Sequence, residues 1–157
     1  MTLYEGPIFR VERRENRDVV VHAPVAAVIA IDSDDYLTLV RQRRVPVDAT
    51  LLELPAGFMH EGELPLDAAR RELAEETGLH GGEWKHLKEF FPSAGFTDER
   101  VHLVLATGLE QGESSPDVDE ELEIVRVRLE DVPGLISEVT DAKTVIGLLL
   151  LARDRHL

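Results

Sequence analysis

Gly57-Phe58-Met59-His60-Glu61-Gly62-Glu63-Leu64-Pro65-Leu66-Asp67-Ala68-Ala69-Arg70-Arg71-Glu72-Leu73-Ala74-Glu75-Glu76-Thr77-Gly78-Leu79 divides into a polar loop and a helix. Pro65 suits the first helical turn, where its missing N–H would have no partner, and Gly78 suits the C-terminal cap. Leu66, Ala69 and Leu73 recur at helical spacing and predict a narrow buried stripe. At about 100° per residue, Glu75 and Glu76 flank Glu72, so three carboxylates share one face. Like charges three and four residues apart destabilise a helix by a few tenths of a kcal/mol per pair. A hard divalent cation would offset that cost, because Mg²⁺ takes carboxylates, waters and substrate phosphates as ligands. The solvated side of an ordinary amphipathic helix has the same pattern, and spacing alone leaves both readings open. Arg71, four residues before Glu75, is placed to orient that carboxylate. Ala68 and Ala69 are expected to leave space above the cluster.

Outward from the helix the chain reads as strands. Ile8 to Arg13, Val19 to His22, Val25 to Ile31 and Tyr36 to Gln42 are rich in β-branched residues, and turns are predicted at 16–18 and 32–35. Val25 to Ile31 is apolar without alternation, which predicts a strand covered on both faces. Pro55-Ala56-Gly57 reads as a breaker after Leu51 to Leu54. Further extended segments are predicted at Trp84 to Phe91, Val101 to Thr107 and Leu122 to Leu129, with an acidic loop from Glu113 to Glu121. Asp131 to Ile136 reads as a helical turn. Ala142 to Arg155 reads as a terminal helix capped by Thr140 or Asp141, with Val145, Leu148, Leu149 and Ala152 facing the sheet. This order predicts an α/β fold, a mixed sheet between helices, as one domain over 1–157.

Composition narrows the function. The formal charge of -14, from 31 acidic and 17 basic residues, repels nucleic acid and acidic membranes. A phosphate-bearing small molecule remains compatible if cations invert the local charge of its site. With no cysteine, disulfides and thiolate chemistry are excluded, which fits a reducing interior. The N-terminus lacks a secretory pattern, and the longest apolar run, Val145 to Ala152, is about half of the roughly 18 residues that span a bilayer. A cytoplasmic protein is expected.

The quoted segment resembles the Nudix box at every defining position, nine positions over 23 residues. The resemblance implies the Nudix α/β/α sandwich and a metal-dependent pyrophosphohydrolase. It implies Mg²⁺ or Mn²⁺, two or more ions per site, held by Glu72, Glu75, Glu76 and the backbone carbonyl of Ala56. Gly57 then lets backbone and metal approach closely, and Glu63 and Arg71 orient the ligands. The implied chemistry is attack of a metal-activated water on one phosphorus of a diphosphate. A nearby carboxylate accepts the proton. Glu120 is aligned with that role, with Asp119 and Glu121 as neighbours, whereas Val118 stands where some relatives carry the base.

Two flanking segments, Val40-Arg41-Gln42-Arg43-Arg44 and Ser93-Ala94-Gly95-Phe96-Thr97-Asp98-Glu99, are similar to the ADP-ribose pyrophosphatase branch. The similarity implies that Arg44 contacts phosphate and that Glu53, Gly95, Phe96 and Glu99 lie by the substrate, while Arg43 is expected at the surface. Phe96 either stacks on a base or fills the core, the commoner use of phenylalanine. Ala94 departs from the branch, which has proline there, so other conjugates stay open: a nucleotide sugar, NADH or a dinucleoside polyphosphate. A non-catalytic ADP-ribose or NAD sensor is a further alternative, although the box keeps all its glutamates. Branch members are usually homodimers, so strands within residues 1–22 are expected to exchange between protomers.

Overall fold

The computed structural model describes residues 1–113 and 122–155. Strands β1 (Thr2–Glu5), β2 (Phe9–Arg14) and β3 (Arg17–His22) form an antiparallel sheet of their own. The following strands build the main sheet: β4 (Val25–Asp32), β5 (Tyr36–Arg44), β6 (Ala49–Glu53), β7 (Ala56–Phe58), β8 (Leu79–His80), β9 (Glu83–Phe90), β10 (Val101–Gln111) and β11 (Glu123–Arg128). Its helices are α1 (Pro65–Thr77), the short α2 (Val132–Leu135) and α3 (Ala142–Arg155). The β4–β10 pair is parallel and the other pairs are antiparallel, so the sheet is mixed, as expected.

Every residue of β4 is buried, because α1 covers one face of the sheet and α3 the other. On the first face Ala68, Ala69 and Leu73 of α1 meet Ala26, Val28 and Ala30 of β4 and Val104 and Ala106 of β10. Ala68 and Ala69 are therefore packing residues, and the expectation that they leave space above the carboxylates is corrected. Small side chains on both surfaces bring helix and sheet close together, while full burial of Leu73 stabilises by about 1.5–3 kcal/mol. On the second face Leu148 and Leu151 of α3 join Ile29, Leu39 and Leu54. Gly147 allows that approach, since a Cβ there would lie 2.7 Å from Leu54 Cδ1.

The helix boundaries follow the local chemistry. Pro65 occupies the first turn of α1, and Gly78 (φ 75°) closes it in the left-handed conformation. Asp141 caps α3 by accepting a hydrogen bond from Thr144 N at 3.0 Å. Three expectations fail. Leu149 is 51% exposed, and Leu151 packs on the sheet face where Leu149 was expected. The Pro55-Ala56-Gly57 breaker contains the start of β7, whose pairing with β4 (Ala27 opposite Ala56, Ala26 opposite Gly57) carries the chain towards the helix. The first turn also falls earlier, at Glu15 (φ 53°), with Arg17 already paired to Arg14.

The N-terminal sheet is tied to the loop before β10. Val20 N donates to Phe96 O at 2.8 Å, Asp98 N donates to Val20 O at 3.2 Å, and His22 N donates to Asp98 Oδ1 at 3.1 Å. Arg14 adds an ion pair to Asp98 at 2.9 Å.

Candidate active site

A cleft of about 680 Å³ opens where β7 and α1 meet the ends of β5 and β6 and the start of α3. Glu72, Glu75 and Glu76 all face it, as the helical spacing predicts, and Ala56, Arg44, Glu53 and Glu99 line it too. Glu76 is only 6% exposed, so it is not the solvated carboxylate of an ordinary helix surface. Arg71 ties the polar loop to the helix. It donates to Glu63 Oε1 at 3.0 Å and Oε2 at 2.9 Å, to Glu72 Oε1 at 2.6 Å, to Glu75 Oε2 at 3.3 Å and to Phe58 O at 2.9 Å.

Those bonds hold the Glu63 carboxyl down at about 2, from an ordinary 4.5: Arg71 contributes most, followed by the His60 N–H. A carboxyl whose folded pKa is depressed stabilises the fold above its unfolded value and loses that contribution as pH falls through the folded value. Glu63→Gln is therefore expected to be less stable than the parent above pH 4.5, with the gap closing as pH falls from 4.5 towards 2. Urea unfolding at stepped pH measures it; a gap that stays constant across the interval would contradict the role given to Glu63.

Gly57 has a sharper function than its motif position implies. A Cβ on Gly57 would lie 2.0 Å from both Cδ and Oε2 of Glu72 and 2.5 Å from Oε1. The carboxylate of Glu72 thus rests directly on the β7 backbone, in space that only glycine leaves open. Among the described residues no three histidine, aspartate or glutamate side chains converge as a ready-made metal-holding group, and Arg71 draws Glu72 and Glu75 into ion pairs. The match to a divalent cation is one of donor chemistry and placement: carboxylate oxygens on one helix face, one of them seated against a glycine, at the wall of a cleft.

A profile of the NUDIX domain matches residues 21–147. The chain belongs to the Nudix family. It is 37% identical over 143 residues to a Bacillus subtilis (strain 168) protein named ADP-ribose pyrophosphatase, covering 88% of this chain and 77% of that one. It is also 37% identical over 145 residues to the methanol dehydrogenase activator of Bacillus methanolicus, covering 90% and 78%. A crystal structure of an ADP compounds hydrolase shares the fold, with a TM-score of 0.80 at 24% identity over 99% of this chain and 90% of the other. The expected Nudix α/β/α sandwich and hydrolase class are thereby shown.

Around this Nudix cleft the remaining expectations divide. Glu99 lines it, whereas Gly95 and Phe96 sit in an exposed turn outside its lining. Phe96 is 57% exposed, so the core-filling reading is corrected; its backbone, not its ring, does the packing by accepting from Val20 N. Arg43 lies at the surface beside Asp48, as expected. Asp119, Glu120 and Glu121 lie outside the described residues.

Arg44 does not stand alone in the cleft. Its Nε and Nη2 donate to Glu53 Oε1 and Oε2 at 2.7 and 2.8 Å. Glu53 Oε2 also accepts from Nζ of Lys143 in α3, which donates to Asp141 Oδ1 at 3.0 Å as well. Burial pushes the Glu53 carboxyl up, but Arg44 and Lys143 outweigh it and hold it below the usual carboxylate range. Lys143 and Asp141 line the cleft and were missed by the sequence reading. A signal existed: a lysine in the first turn of a helix opposes the macrodipole and calls for an acidic partner.

Proposed function

We propose that this Nudix hydrolase cleaves the diphosphate of ADP-ribose, adding water across the P–O–P bridge to give AMP and ribose 5-phosphate. The observation that carries the metal-dependent part is the carboxylate face of α1 in the cleft, with Glu72 seated against Gly57. The relative named ADP-ribose pyrophosphatase, aligned over most of both chains, supports the substrate. Glu72, Glu75, Glu76 and the Ala56 carbonyl would hold Mg²⁺ or Mn²⁺, two or more ions per site. When bound, such cations neutralise the diphosphate and acidify water.

The chain's own groups do the rest. Arg71 keeps Glu72 and Glu75 aligned, and Arg44 presents guanidinium N–H groups to the phosphates. Glu120 is assigned to accept the water's proton, with Asp119 and Glu121 beside it in sequence. Glu99 in the cleft lining is assigned to the substrate, with Gly95 and Phe96 beside it in the adjoining exposed turn. A homodimer is proposed as well: exposed Leu3, Tyr4, Ile8 and Phe9 of the N-terminal segment support it, and Ile8 reaches the cleft lining. The lack of cysteine supports a cytoplasmic setting.

The test is a substrate panel on protein stripped with EDTA and then given Mg²⁺. ADP-ribose is expected to be turned over fastest, to AMP and ribose 5-phosphate, and only after metal is restored. Faster turnover of a nucleotide sugar, NADH or a dinucleoside polyphosphate would replace the substrate. Binding of ADP-ribose without turnover under any metal would replace the enzyme reading with a sensor.

A further inference from the structure

The geometry points to Lys143 as a positioning residue for the substrate diphosphate, acting through Glu53 to hold the Arg44 guanidinium in its working orientation; this rests on the hydrolase reading above. Arg44 pairs side-on with Glu53, using Nε and Nη2 and leaving its other N–H groups unspent by that carboxylate. Its side chain remains 39% exposed at the cleft wall, so those groups can meet an anion. Glu53 therefore sets the plane of the fork.

Glu53 is in turn set by Lys143. The Glu53 side chain is 2% exposed, and a carboxylate that deep needs more than one charged partner to stay ionised and fixed. Lys143, itself 11% exposed, supplies the second. The ammonium sits in the first turn of α3, where the helix dipole disfavours a cation, and it is retained by Glu53 on one side and Asp141 on the other. Asp141 is locked because its Oδ2 accepts from both the backbone N–H of Thr144 at 3.0 Å and its hydroxyl at 2.6 Å. Leu54 N donates to that same hydroxyl at 2.9 Å. The start of α3 is thus pinned to the strand end carrying Glu53, and the charges alternate Asp141, Lys143, Glu53, Arg44 along the cleft wall.

The experiment is steady-state kinetics on Lys143→Met, Lys143→Arg, Glu53→Gln and the Glu53→Gln/Lys143→Met double variant, with ADP-ribose and Mg²⁺ and with thermal unfolding of each. If the parent protein does not hydrolyse ADP-ribose, the substrate reading fails, and the same kinetics on the conjugate it does hydrolyse still tests Lys143. Expected for Lys143→Met is a KM about tenfold higher with kcat within about threefold, as removal of uniform binding predicts, and near-parental KM for Lys143→Arg. Expected for the double variant is the KM of Glu53→Gln alone, because residues acting through one chain are not additive. A KM within twofold of the parent in Lys143→Met overturns the proposal. So does a further fivefold rise in the double variant, which would mean that Lys143 meets the substrate directly. Should Lys143→Met not fold, the double variant, which removes the buried anion along with its cation, decides by the same comparison.

Discussion

Glu76→Gln is expected to lower turnover by at least about 100-fold, beyond the 10–100-fold typical of groups that merely support a metal ligand. The substitution keeps shape and removes only the negative charge. Glu76 is buried and lines the cleft. Loss of one oxygen donor to a hard cation should appear as weakened metal dependence as well as lost rate. The fold should survive, because Ala69 and Leu73 on the sheet-facing side of α1 are untouched, and the stability change should stay within about 2 kcal/mol. Kinetics at rising Mg²⁺ with parallel thermal melts check both halves. An unchanged rate would dismiss the carboxylate face as a metal site.

Gly57→Ala is expected to cost about 100-fold or more in turnover for a different reason, the displacement of a group the mutation does not itself contain. The new methyl would lie 2.0 Å from the Glu72 carboxylate, far inside the contact distance of non-bonded heavy atoms. What gives way is the end of a flexible side chain and not backbone, so overpacking should cost no more than about 1–3 kcal/mol. Glu72 must leave its seat on β7, and its bond from Arg71 would break or stretch with it. Activity and stability should therefore separate: a folded protein, nearly silent, with Glu72→Gln in the Gly57→Ala background adding little. A fully active Gly57→Ala would show that the seating of Glu72 is irrelevant to the chemistry.

Much of the site was legible because the relevant relations are local. Helical periodicity alone puts Glu72, Glu75 and Glu76 on one face, and Pro65 and Gly78 mark where that helix begins and ends. The unbroken apolar run from Val25 to Ile31 likewise announced a strand buried on both faces, and β4 is one. Periodicity shows which residues share a face without showing what lies opposite Ala68 and Ala69; the sheet does. For Phe96 the core preference of its residue type is overridden by the turn around it, which leaves the ring exposed and binds β3 through the Phe96 carbonyl.

The helix, its caps and its row of three carboxylates belong to the sequence by itself, since contacts three and four residues apart are dictated by the rise and twist of the chain. The seat of Glu72 against Gly57 depends on β7 pairing with β4 while α1 packs across the same strand, and no local rule joins those two positions. The Lys143–Glu53 contact spans 90 residues and exists because α3 closes over the second face of the sheet. Tertiary packing therefore decided how closely the first carboxylate meets the backbone and which lysine meets the carboxylate that binds Arg44.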